Sequence, residues 1–260
     1  MPLGWVYIIL IFEQTVASGT FVAGKWALLE FPPLTLAFIR VIIAGCGLYI
    51  VHRLWPGRKR IERRDWPKFA LIGFLAVVVN QASFLYGLRL TTPTHAAIIY
   101  GATPVFVFLL AIPLIGERPT WLKFIGVTVT FGGVAVIVAG EAQAWQGQAW
   151  LGDLMIVGAT IAWALCTVLG KPLVSKYGGA HVTAITLIMG AVFFTPIGLA
   201  TWHHFQPMAV SLKGWSSLLY MAIGTSVVAY TLWFMNEAIG ARLIAGGLLV
   251  IFGVILTERG

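Results

Sequence analysis

A chain of 260 residues that is 59% hydrophobic and only 10% charged has too little polar surface for an ordinary soluble domain. Its net charge of +8 would point to nucleic acid in a soluble protein, but here the basic residues gather in loops between long apolar runs. A spanning helix needs about 20 apolar residues. Lipid offers no partner for backbone amides, so continuous, non-alternating runs of that length read as membrane helices rather than barrel strands.

The first run, residues 5–24, has no basic region ahead of it and no small-residue cleavage site, which marks a retained helix and not a signal peptide. The second covers 34–54. Between it and the third, 66–88, lies a loop that collects Arg53, Arg58, Lys59, Arg60, Arg63, Arg64 and Lys68. Basic residues hold cytoplasmic loops in place, so this loop is expected inside. The fourth run spans 94–115. Tyr100 precedes Pro104 by four residues there, and the backbone is expected to bend at that point. The fifth covers 121–139. A polar, Trp-containing linker at 141–150 divides the chain near its middle, and residues 140–152 carry no Lys or Arg.

A second set follows at 151–170, 181–202, 215–237 and 243–256. With a cytoplasmic N-terminus, Arg118, Lys123, Lys171 and Lys176 join the basic loop inside, and the linker lies outside.

The two sets echo each other. Gly24-Lys25 matches Gly170-Lys171 at an offset of 146, while Trp66, Gln81 and Phe84 match Trp215, Tyr230 and Trp233 at 149. Five helices separate each pair, and an odd number of crossings inverts the second set in the membrane. Gly126 and Gly132 match Gly247 and Gly253 at an offset of only 121. About 28 residues, the length of one spanning helix with its turn, are therefore expected to be missing between Arg242 and Leu243, with a natural nine-helix chain as the alternative. The expected fold is an all-α polytopic membrane protein of two inverted five-helix repeats. Ten helices are expected and about nine are present. The first repeat occupies 1–140, and the second, 151–260, lacks its fourth helix.

Several residues are candidates for solute binding. Glu13 lies well inside a helix, and such a carboxyl costs several kcal/mol unless hydrated or paired. It is a candidate for a substrate ammonium or an exchanging proton, with a structural hydrogen bond to Gln14 as the alternative. Asn80, Gln81 and Phe84 share one face of the third helix, and Tyr230 and Trp233 take the matching face of the eighth. Tyr100 and Trp163 add rings from the fourth and sixth. A cavity of rings with a few amide and hydroxyl groups suits small amphipathic zwitterions. Each ring taken singly is as well explained by packing between helices.

Lys25 and Lys171 are expected to snorkel, and Arg40, which lies deeper, is expected to snorkel or to bond between helices, with contact to a substrate carboxylate as its lesser reading. Trp5, Trp55, Trp145, Trp150, Trp202 and Trp215 read as an interfacial belt. Cys46 and Cys166 read as small hydrophobes. There is no P-loop and no HExxH, which disfavours ATP-driven transport by this chain alone and metalloprotease chemistry.

Three segments together carry a family resemblance: Asn80-Gln-Ala-Ser-Phe-Leu-Tyr86-Gly-Leu-Arg89-Leu-Thr-Thr92, Ala102-Thr-Pro-Val-Phe106 and Gly116-Glu-Arg-Pro119. With Pro33-Leu-Thr-Leu-Ala-Phe-Ile-Arg40 in the second helix, they resemble the EamA-type branch of the drug/metabolite transporter superfamily. Within it, the likeness is nearest to bacterial aromatic amino acid exporters of the YddG type. Ala17-Ser18 departs from the Trp-Gly that many members carry there.

The resemblance implies ten helices in two inverted repeats, cytoplasmic termini, a central cavity and export of small metabolites. The function expected is a secondary transporter or facilitator in the bacterial inner membrane, exporting aromatic and other neutral amino acids. Export of a drug, nucleoside or purine is the alternative, and a membrane-embedded enzyme is a more distant one. No catalytic residue, metal or cofactor is expected. The expected partners are the small-molecule substrate, the lipid bilayer and a proton as candidate coupling ion, with no nucleic acid.

Overall fold

Each apolar run described in the structure is helical, and no strand occurs among the described residues. The computed structural model describes residues 3–54, 59–117, 121, 125–129, 132, 148–203 and 205–228, with the backbone alone for 3–11 and 13. The helices are α1 (Leu3–Ala27), α2 (Pro33–Leu54), α3 (Arg63–Leu90), α4 (Pro93–Ile115), α5 (Ala149–Tyr177), α6 (Gly179–Trp202) and α7 (Leu212–Leu219). From α7 the chain runs on as a π-helix over Tyr220–Val228. By length and composition α2 to α6 can each cross a membrane. The run at 243–256, the Arg242–Leu243 junction and most of 121–139 lie outside the described residues.

Two departures from the sequence reading have physical causes. The end expected at Gly170 is only part-way along α5, which continues through Pro172 to Tyr177. A proline removes one backbone donor and crowds the preceding turn, yet membrane helices tolerate it where neighbouring helices meet the freed groups. The actual stop is Gly178, at φ 84°, a conformation open to glycine and strained for other residues. In α4 the expected bend is a full interruption at Ala102 (φ −78°, ψ 0°). There the Thr103 hydroxyl donates to the Tyr100 carbonyl (2.5 Å), and a new helical segment starts with Pro104 in its first turn.

Polar contacts collect at the two ends of the bundle. At the basic-loop end, Lys176 Nζ lies 2.5 Å from Glu62 Oε1 and 2.7 Å from Asp65 Oδ2. Tyr177 Oη donates to Asp65 (2.8 Å) and accepts from the Glu62 backbone N–H (3.1 Å). At the opposite end Lys25 is not a snorkelling residue. Its ammonium donates to the carbonyls of Leu88 (2.9 Å), Arg89 (3.1 Å) and Thr91 (2.5 Å). The last carbonyls of a helix have no donor of their own, and a cation there also meets the negative end of the helix dipole.

Also at this end, the Thr91 hydroxyl donates to Asp153, and His95 Nδ1 lies 3.0 Å from the other oxygen of the same carboxylate. Glu30 accepts from the Ser211 backbone N–H (2.5 Å) and hydroxyl (2.6 Å). Phe31 stacks on Phe205 with centroids 5.2 Å apart. Trp215, read as interfacial, is half-buried and packs edge-on against Phe31 at 5.4 Å.

These contacts fix the directions of the helices. α1 and α3 run toward the Lys25 end, while α5 and α7 run away from it. α2 and α6, which pack extensively on each other, are likewise antiparallel.

Small residues let two crossings close to backbone contact. A Cβ on Gly87 would stand 2.7 Å from the Gly152 carbonyl oxygen, and one on Gly152 2.8 Å from that of Gly87. Gly73 of α3 and Gly190 of α6 also approach closely: a Cβ on Gly190 would stand 2.7 Å from the Gly73 carbonyl oxygen, and one on Gly73 2.7 Å from the Thr186 carbonyl oxygen and 3.1 Å from the Gly190 nitrogen. In lipid, where apolar burial gives little preference for helix over tail, such close packing is a main source of association.

α3 changes hydrogen-bond pattern part-way along, and α7 gives way to a π-helix at its end. Phe74–Val79 is π-helical, between α-helical Trp66–Gly73 and Asn80–Leu90. The offset of 149 that relates Trp66 to Trp215 carries 74–79 onto 223–228, inside the second π stretch. Such stretches are rare and frequently lie at functional sites.

Candidate functional site

Between the two π stretches lies a small cavity lined by Arg40, Val41, Ala44, Val77, Gln81, Leu187 and Ser226, drawn from α2, α3, α6 and the π-helix after α7. Arg40 is only 6% exposed and stands about 10 Å along α2 from Pro33, at 1.5 Å per residue. Its Nη1 donates to Gln81 Oε1 (3.0 Å), Nη2 to Thr225 and Ser226 (3.3 Å each) and Nε to Ser226 (3.3 Å). Of the two leading sequence expectations for Arg40, bonding between helices describes these contacts and snorkelling does not.

The chain of bonds continues away from Arg40. Gln81 Nε2 donates to Asn80 Oδ1 (3.3 Å), and Asn80 Nδ2 donates to Tyr100 Oη (2.5 Å) and the Ala159 carbonyl (2.8 Å). A path of polar groups thus runs from the hydroxyls after α7 through α2 and α3 to α4 and α5. Asn80 is 1% exposed, and a buried amide left without partners would cost about 1–3 kcal/mol, so its position follows from these bonds. Asn80 therefore fixes Tyr100.

The Tyr100 ring closes a three-ring cluster with Phe84 (5.5 Å) and Phe21 (6.1 Å), all at steep interplanar angles. Phe21 and Phe84 are 5.8 Å apart, completing the triangle. Edge-to-face aromatic contacts of this kind contribute about 0.5–1.5 kcal/mol beyond their buried area.

Of the sequence candidates, the structure brings Asn80, Gln81 and Tyr100 into one network. Trp163 is half-buried one turn beyond Ala159 on α5 and packs against the buried core. The Glu13 side chain, Tyr230 and Trp233 lie outside the described residues. Thr225, Ser226 and Phe21 were not foreseen as partners. A pair of adjacent hydroxyls in an apolar run was the available signal for the first two. Lys171 is exposed and lies 4.0 Å from Glu117 at the basic-loop end.

Among the described residues no three His, Cys, Asp or Glu side chains gather as a metal site. Cys46 is exposed and Cys166 buried, and both are free thiols.

The model of the EamA-like transporter family matches residues 4–139 and 150–237. An uncharacterized transporter of Archaeoglobus fulgidus is 28% identical over 230 residues, covering 88% of this chain and 78% of the relative. A probable terminal-alkyne amino-acid exporter of Streptantibioticus cattleyicolor is 29% identical, covering 83% of this chain and 67% of the relative. A second uncharacterized transporter of A. fulgidus, 24% identical, covers 97% of this chain and 98% of its own length in an alignment of 281 residues. That alignment is longer than the 260 residues of the present chain, so the relative carries residues this chain lacks. A solved crystal structure superposes with a TM-score of 0.68 at 16% identity, covering 99% of this chain and 89% of that one, a likeness of fold.

Proposed function

The chain belongs to the EamA-like transporter family, and from that premise we propose that it exports aromatic and other neutral amino acids by alternating access through the cavity beside Arg40. The observation that carries the reading is the polar path from Ser226 to Tyr100, which ends on a cluster of aromatic rings. Rings beside an amide and a guanidinium match a solute with an apolar side chain and a zwitterionic head. The likeness to an amino-acid exporter supports the same substrate class.

In this reading Gln81, Tyr100 and Trp163 face the solute, and Asn80 holds Tyr100 in place. Glu13, Tyr230 and Trp233 complete the lining, with Glu13 taking the substrate ammonium or a proton. The two sets of helices form inverted repeats, a reading supported by the opposed directions of α1 and α5, α2 and α6, and α3 and α7. The paired π stretches support it as well. The complete protein has ten helices, with about 28 further residues between Arg242 and Leu243. The longer alignment with the second A. fulgidus relative agrees with that. The protein sits in a bacterial inner membrane with its termini and basic loop in the cytoplasm.

Efflux from proteoliposomes loaded with labelled phenylalanine, tryptophan, leucine, uridine or adenine tests the reading. Faster loss of the amino acids than from protein-free vesicles is expected. Loss of uridine or adenine alone would replace the substrate class and leave the transporter in place.

A further inference from the structure

We propose that the basic end of α3 binds one anionic phospholipid, with Arg60 and Arg63 on its phosphate and its acyl chain along the outward face of α3. This surface is separate from the solute path, so its test stands whichever solute is carried.

From Arg53 to Lys68 the sequence sets seven Lys and Arg against two acids, Glu62 and Asp65. The fold turns both acids toward the end of α5. Asp65 is 3% exposed and accepts from Lys176 (2.7 Å), Tyr177 (2.8 Å) and Lys68 (3.3 Å). Glu62 meets Lys176 at 2.5 Å and Arg64 at 2.6 Å. Lys59 is committed as well, donating to the Lys176 carbonyl (2.8 Å). These bonds occupy both acids of the loop and three of its cations. Arg60 and Arg63 are left exposed, with no hydrogen-bond or ion-pair partner among the described residues. Three residues of chain separate their Cα atoms by at most about 11 Å, within reach of one phosphate from two long side chains. Guanidinium forks match phosphate oxygens in charge and in geometry.

Below these cations the surface is apolar. The first turn of α3, Arg63–Asp65, is a 3₁₀-helix, and its three residues per turn bring Arg63 over Trp66. Trp66 is exposed, as are Leu71 and Phe74 on the turns that follow. Phe74 meets Phe193 of α6 edge-on at 6.3 Å, and Phe193 is exposed too. From Trp66 to Phe74 is about 12 Å along the helix, a length an acyl chain can follow. The surface thus passes from cations to an indole to aliphatic and aromatic groups. A phospholipid passes in the same order from phosphate to glycerol to hydrocarbon, and tryptophan favours the level between headgroup and tail. A zwitterionic headgroup carries an ammonium that competes with the arginines for its phosphate. An anionic headgroup carries none, and each arginine near it is worth about fivefold in binding.

The competing account is diffuse attraction, in which exposed cations draw anionic lipid in proportion to total charge. The full chain is reconstituted in phosphatidylcholine vesicles holding a trace of lipid with a diazirine in its acyl chain, either phosphatidylglycerol or phosphatidylcholine. After illumination the labelled peptides are mapped. The phosphatidylglycerol probe should label residues 66–74 at least about fivefold more than the phosphatidylcholine probe. The double substitution Arg60→Gln, Arg63→Gln should bring that ratio to about one. Lys171→Gln removes an exposed cation of α5 at the same end and should leave the ratio unchanged.

Equal labelling by the two probes in the wild type would overturn the proposal, and that result needs no variant to fold. An undiminished ratio in the double variant would do the same. So would an equal fall in Lys171→Gln, which would establish diffuse attraction, or a preference for phosphatidylglycerol confined to other segments.

Discussion

Gly152→Ala tests how α3 and α5 are held together. The added Cβ would lie 2.8 Å from the Gly87 carbonyl oxygen, 2.8 Å from the Thr91 backbone nitrogen and 2.9 Å from Leu90 Cβ. None of these is the end of a flexible side chain, so the two helices must separate by several tenths of an ångström. Overpacking of this kind costs about 1–3 kcal/mol. The separation would also stretch the contacts of the next residue, Asp153, with Thr91 and His95. For a chain near this size each kcal/mol moves the melting point by about 2–4 °C, so the variant should melt roughly 2–12 °C below wild type. Gly158 lies on the same helix with nothing within 4 Å of its would-be Cβ. Alanine there gains up to about 1 kcal/mol of helix propensity. Gly158→Ala should therefore melt at or above wild type. Thermal unfolding in detergent, followed by tryptophan fluorescence, reads both. If Gly152→Ala melted with wild type, the close crossing of Gly87 and Gly152 would be refuted.

Three other outcomes are expected. Single cysteines at Arg60 and at the fully exposed Met208, in a background free of Cys46 and Cys166, should label from opposite sides of the membrane. Only Met208→Cys should react with an impermeant reagent added outside, and reaction of Arg60→Cys there would reverse the orientation. The two hydrogen bonds from Ser211 hold the Glu30 carboxyl below its usual range, so the stability it contributes is complete above that range and is lost as pH falls through the lowered value. The gap in melting temperature between wild type and Glu30→Gln should thus be widest near pH 7 and close below about pH 4, and a gap constant with pH would contradict the linkage. Chymotryptic peptides of the protein from its own cells should not contain Arg242 joined directly to Leu243, and one such peptide would establish nine helices.

The spans were legible because membrane helices announce themselves by length and hydropathy alone, and α2 begins and ends within one residue of the run read at 34–54. The end of α5 was not. Gly170-Lys171-Pro172 carries the local chemistry of a stop, and only packing against neighbouring helices lets the helix run on to Gly178. Tyr100, Asn80 and Gln81 could be nominated from helix faces and from a proline nearby. What they bond to could not, since Ala159 and Ser226 come from distant runs with no pattern linking them to α3. The pairing of His95 with Asp153 was hidden for the same reason: each reads alone as a polar residue near a helix end. The π stretches were also invisible, because Phe74-Leu-Ala-Val-Val-Val79 has the composition of any membrane helix.

Those π stretches bear on how the family can change by insertion and deletion. A π turn accommodates one residue more than the α-helix around it, so losing a single residue from 74–79 would restore ordinary α-helix. The extra residue is absorbed within the π turn, so the helix beyond would keep its facing, and Asn80, Gln81 and Phe84 would stay in the polar path and the ring cluster. The α-helical turns on either side have no such buffer, and losing a residue there would rotate everything beyond by about 100°. The segment 74–79 is therefore a place where a related chain can lose one residue without changing which stripe of α3 faces α2 and α6. A homologue whose alignment opens a one-residue gap at 74–79 should be continuous α-helix there and present the same stripe.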